Sequence, residues 1–153
     1  MIYLISEMLT IADEKYMQMT EMLELTKEQT ELLVGEKVES FERYIDYKQT
    51  IIDRINLLDV KFKELNVQLL SEANVFTLEE LKDNISIKKI LELHIKTKAV
   101  LKVMIEIDNK NADKGKQLLI KLGDDLVYAG KAPVAFREYQ KEMSGAIFIN
   151  RQG

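Results

Sequence analysis

The chain contains no cysteine, no tryptophan, one histidine, one proline and six glycines. Without thiols there is no disulfide, no cysteine nucleophile and no zinc-finger site. Glycine and proline punctuate turns, so their scarcity leaves few chain reversals and a few long elements. No window of about 18 uncharged apolar residues occurs, so no transmembrane helix is expected. The opening stretch MIYLISEMLTIADEKY has no basic leader and gains acids early, so no signal peptide is expected either. With the lack of cysteine, these features predict a cytoplasmic protein. The patterns G-x-x-x-x-G-K-[ST], G-x-G-x-x-G and G-x-S-x-G are also missing, so neither a phosphate cradle nor a serine elbow is expected. The expectation is a protein without cofactor and without catalytic activity.

What is present is the material of helices. A chain of 153 residues is the size of one domain and can bury a sizeable core. Charged residues make up 31% and are mixed in sign, which points to amphipathic helices rather than disorder. Seven methionines add adaptable apolar surface. The charge is unevenly placed. Residues 1–81 hold 8 basic and 17 acidic residues, whereas residues 82–121 hold 10 lysines against 5 acids. Either a solvated lysine face complements the two acidic helices before it, which is the favoured reading, or residues 82–121 touch an anionic partner.

Steps of four and three from Ile5 pass through Leu9, Ala12, Tyr16, Met19, Leu23, Thr26, Thr30 and Leu33. This predicts one helix over residues 2–34, broken at Gly35. A second register runs Phe41, Tyr44, Lys48, Ile51, Ile55, Leu58, Phe62, Leu65 and Leu69. In the next segment Thr77 and Glu80 have capping-box spacing, which predicts a short helix over LEELKD. A third long helix is expected from about Ile87 to Ala129, with two stripes, Ile90, Leu93, Val100, Met104, Ile107 and Leu91, Leu101, Ile105, Leu119, Leu122, Leu126. Its polar middle, DNKNADKGKQ, is expected to fray or project. The predicted fold is all-α: three long antiparallel helices in an up-down-up bundle, residues 1–129, followed by a tail, residues 130–153.

Few residues suggest chemistry. A di-iron centre in a helical bundle needs Glu-x-x-His on two helices, and His94 is alone with Glu92 two positions away. His94 therefore reads as a core or boundary residue, and no metal is expected. The lysines of residues 82–121 lack the interleaved aromatics of a single-strand platform, and the net charge of −4 has the wrong sign for nucleic acid. Lys48 falls on the seam of the second helix. Its side chain is expected to snorkel out between Tyr44 and Ile51; the rival reading is that it fixes register or oligomeric state. Thr26 and Thr30 loosen the first helix's seam. In the tail, Phe136, Tyr139, Met143 and Ile147 are spaced three, four and four, a helical apolar stripe. That stripe either docks in an open groove of the bundle or becomes ordered on a partner.

Two stretches carry a family resemblance. MLELTKEQTELLVGEKVESFERYIDYKQTIIDRINLLD, with Leu32-Leu33, Gly35, Lys48 and Ile51-Ile52, and the closing GAIFINRQG resemble the FlgN-like flagellar export chaperones. Asn150 stands where that family has an aspartate in its closing motif. The resemblance implies a cytosolic type III export chaperone that covers the C-terminal helical segment of hook-associated, hook–filament junction subunits and delivers them to the cytoplasmic domain of the export gate. It also implies that the end of the third helix and the tail make these contacts, through Leu126, Tyr128, Val134, Phe136, Tyr139, Met143, Ile147 and Phe148. Tyr128 is the candidate for gate docking. A homodimer is compatible with this function, and membrane insertion is not part of it. The alternative is a structural coiled-coil adaptor that oligomerises through its seams.

Overall fold

A computed structural model describes residues 1–123. The chain runs α1 (Ile2–Val34), α2 (Val38–Ala73), a short 3-10 helix η1 (Leu78–Leu81) and α3 (Ile85–Gly123). The described residues are all-helical, without strands, and the three long helices pack together. At about 1.5 Å per residue they reach roughly 50–60 Å. The predicted boundary at Ala129 lies outside the described residues.

Each break between helices has a local cause. At the end of α1 the Lys37 amide donates to the Leu32 carbonyl (2.8 Å) and the Glu36 amide to the Leu33 carbonyl (3.1 Å). These are the two bonds of a Schellman motif. Its left-handed residue is Glu36 (φ 56°), whereas Gly35 has an ordinary φ of −81°. The end of α2 repeats the device: the Val75 amide reaches the Leu70 carbonyl, and Asn74 is left-handed (φ 54°). The predicted capping box closes η1, with the Glu80 carboxylate accepting from the Thr77 amide at 2.8 Å. Asn84 then starts α3, its Oδ1 accepting from the amides of Ser86 and Ile87.

The core falls into three apolar clusters along the helices. One gathers Leu4, Ile5, Met8 and Ile11 of α1 with Phe62, Leu65 and Leu69 of α2 and Ile87 and Ile90 of α3. The middle one joins Met19, Met22, Ile51, Ile52, Ile55, Leu101 and Met104. The third is small: Leu33, Phe41 and Leu119. The backbone of α1 lies close to both other long helices, whereas α2 and α3 meet mainly through side chains. A helix with two neighbours needs a broad apolar face, and this widens the line predicted for α1. Ile5, Ala12, Met19, Thr26 and Leu33 are buried as read and are joined by Met8, Ile11, Met22 and Gln29, while Leu9, Tyr16, Leu23 and Thr30 sit half-buried beside them. The α2 register is as read, with Tyr44 and Leu58 half-buried.

The polar stretch DNKNADKGKQ does not fray. It continues α3, and it turns Asp108, Asn111 and Ala112 into the interior. The buried line of this helix runs in steps of three and four through Ile87, Ile90, half-buried His94, Thr97, Leu101, Met104, Asp108, Asn111, Gly115 and Leu119. Three of its buried members are polar, which hid it from a hydrophobic pattern.

Candidate functional site

Between the middle and the small apolar clusters, all three helices contribute polar side chains to one buried layer. Lys48 of α2 is fully buried. Its ammonium donates to Asp108 Oδ1 of α3 at 2.7 Å and to Gln29 Oε1 of α1 at 3.1 Å. Gln29 in turn donates from Nε2 to the Phe41 carbonyl at 3.4 Å. One turn away, the Thr30 hydroxyl donates to Asn111 Oδ1 at 2.8 Å, and Asn111 Nδ2 donates to the Thr26 carbonyl at 3.2 Å. The Thr26 hydroxyl, also buried, caps the Met22 carbonyl of its own helix at 2.7 Å.

This geometry overturns the snorkelling reading of Lys48. An ammonium at this depth cannot reach water, and the opposed carboxylate and amide supply its ligands instead. Burial draws Lys48 down to about 8, against the raising effect of Asp108. Burial likewise raises Asp108, with Lys48 opposing. The layer is held as an ion pair with added hydrogen bonds, the arrangement that makes a buried charge tolerable. Sliding any helix by one turn would strand a charge or an amide in an apolar cluster, so the layer specifies register. Thr26 and Thr30 are members of it rather than defects in a seam. The sequence signal for Lys48 was its place on an apolar line. Gln29, Asp108 and Asn111 had none, since each sits in a stretch that reads as solvated.

A second polar contact lies nearer the start of α1. Lys15 pairs with Asp59 at 2.5 Å, both largely covered. His94 packs edge-on to Phe62 with ring centroids 4.9 Å apart. Burial lowers its pKa to about 4, reinforced by Lys15 and Lys98 and opposed by Glu79. His94 is therefore a neutral boundary residue. Among the described residues no group of three or more His, Asp or Glu side chains is placed to hold a metal ion. Among them, too, no helix is long and apolar enough to cross a membrane.

The lysines of residues 82–121 are solvated as read, and one of them meets an acid of residues 1–81 at close range. Among the described residues Lys121, bridged to Glu36 at 3.0 Å, is the one member of this block in an ion pair. That bridge places the end of α3 beside the α1–α2 turn. The residues implicated by the resemblance, Leu126, Tyr128, Val134, Phe136, Tyr139, Met143, Ile147 and Phe148, all lie outside the described residues. Comparison with protein-family models, curated proteins and solved structures finds no match for this chain.

Proposed function

We propose that this chain is a non-catalytic, cytoplasmic binding protein: a type III export chaperone of the FlgN-like kind. It holds the C-terminal helical segment of hook-associated flagellar subunits and carries them to the export gate. The observation that carries the reading is the layout of a register-locked, three-helix body whose last helix ends at the Glu36 turn and leads into a chain segment with a helical apolar stripe. A client segment with its own apolar stripe would pair with Phe136, Tyr139, Met143 and Ile147 as one helix lies against another. Leu126, Tyr128, Val134 and Phe148 extend the same surface, with Tyr128 the contact for the gate.

We further infer an up-down-up bundle. Pairings of Met1 with Glu72, Glu7 with Lys61 and Lys15 with Asp59 run α1 and α2 in opposite senses. Thr30 with Asn111 and Glu36 with Lys121 run α1 and α3 in the same sense. Such a body supplies a rigid platform and leaves recognition to the segment that follows.

The test is co-purification of secreted flagellar subunits with the tagged full chain from the parent cell. Selective recovery of one or two hook-associated subunits is the expected result. Recovery of ribosomal contaminants alone would sink the chaperone reading. The alternative of a structural coiled-coil adaptor predicts self-assembly without any such client.

A further inference from the structure

The outer faces of α1 and α3 carry opposite charge on the same spacing. On α1, Asp13, Met17, Glu21, Glu24, Glu28 and Glu31 follow steps of four and three, all exposed. On α3, Lys96, Ala99, Val103, Glu106, Lys110 and Lys114 keep the same repeat, also exposed, with Glu106 the one acid among three lysines. Each stripe has an apolar centre in a charged border: Met17 on one, Ala99 and Val103 on the other. No ion pair among the described residues joins the two stripes within one molecule. Among the described residues none of these lysines forms an ion pair, and of the acids only Glu24 does, with exposed Lys27.

We propose that the lysine stripe of α3 docks on the acidic stripe of α1 in a second copy of this chain. Seams with four-three spacing and apolar centres let two helices lie side by side, and opposite flanking charges select the pairing and speed encounter. A polyanionic occupant fits less well. The protein's net charge of −4 repels it, and α3 offers no Phe, Tyr or Trp for stacking bases. Because the two stripes differ, the contact is head-to-tail. Each assembled pair keeps one free stripe of each sign, so the average mass grows with concentration unless a ring closes. This inference is independent of the chaperone reading and concerns a different face.

Sedimentation velocity of the full chain tests it, compared at about 0.05 M and about 0.5 M salt. Two variants are needed: E21K/E24K/E28K on α1 and K96E/K110E/K114E on α3. All six positions are exposed, so both should retain the wild-type circular dichroism. Wild type should associate at low salt and dissociate at high salt. Each variant alone should associate at least ~10-fold more weakly. An equimolar mixture should restore a pair, because each variant keeps the stripe the other has lost. A wild-type monomer at low salt, salt-insensitive association, or a mixture that stays monomeric would each overturn the proposal. So would a monomer that instead binds vesicles of anionic lipid through the α3 lysines, which would assign this face to a membrane surface.

Discussion

Lys48 and His94 show at the residue scale how burial decides what a charge does. Removing one partner of a buried ion pair leaves the other uncompensated, so Lys48→Ala should destabilise by about 3–5 kcal/mol. Replacing the pair together, Lys48→Met with Asp108→Leu, should cost little or even stabilise. Urea unfolding of the two variants checks this, and equal destabilisation of both would contradict the ion-pair reading. His94 acts through pH. Its folded pKa, about 4, is below the ordinary 6.5, so below pH 6.5 the unfolded chain takes up a proton that the folded one refuses. Its contribution is therefore complete above pH 6.5 and is lost as the pH falls toward 4. Discounted for partial exposure, the loss is about 1–2 kcal/mol. Comparing wild type with His94→Gln across this window should show the extra slope only in wild type.

At the scale of elements, the α1–α2 turn separates what glycine does from where it stands. Gly35 has an ordinary φ, and a Cβ there would meet the Glu31 carbonyl and Lys37 side chain at 3.7 Å, an ordinary contact. The residue bearing the left-handed strain is Glu36. Glu36→Gly relieves that strain, worth roughly 0.5–1 kcal/mol, but also removes the exposed bridge to Lys121. Its net effect should be a gain of at most about 0.5 kcal/mol, and Gly35→Ala should be neutral or slightly stabilising. Thermal melts of both decide it; a large loss on Gly35→Ala would mean that the turn depends on Gly35 itself. The turn also shows what a sequence reveals. Element existence was legible because thirty-residue amphipathic runs have one helical solution, and the Thr77–Glu80 capping box announced η1. The inner line of α1 was read correctly at Ile5, Ala12, Met19, Thr26 and Leu33 and missed by one position at Leu9, Leu23 and Thr30, because a helix with two neighbours presents two adjacent stripes. The polar layer was the least legible part. Gln29, Asp108 and Asn111 are satisfied by residues from 12 to 85 positions away in sequence, on other helices, and no local pattern encodes such a partner.

For the whole molecule, the proposed function gives the body and the tail different tasks: the three helices hold a fixed register, and residues 124–153 are proposed to recognise the client. Removing residues 131–153 should therefore leave the fold intact. Among the described residues the three apolar clusters and the polar layer draw on Leu4–Leu119. The most direct measurement is titration of full-length and truncated chain with a synthetic peptide of the C-terminal helix of a hook-associated subunit, followed by calorimetry, with the circular dichroism melt of each form beside it. Binding by the full chain, its loss on truncation, and melts within a few degrees of one another are the predicted result. Undiminished binding by the truncated chain, or a truncated bundle that melts tens of degrees lower, would contradict it and make the tail part of the core.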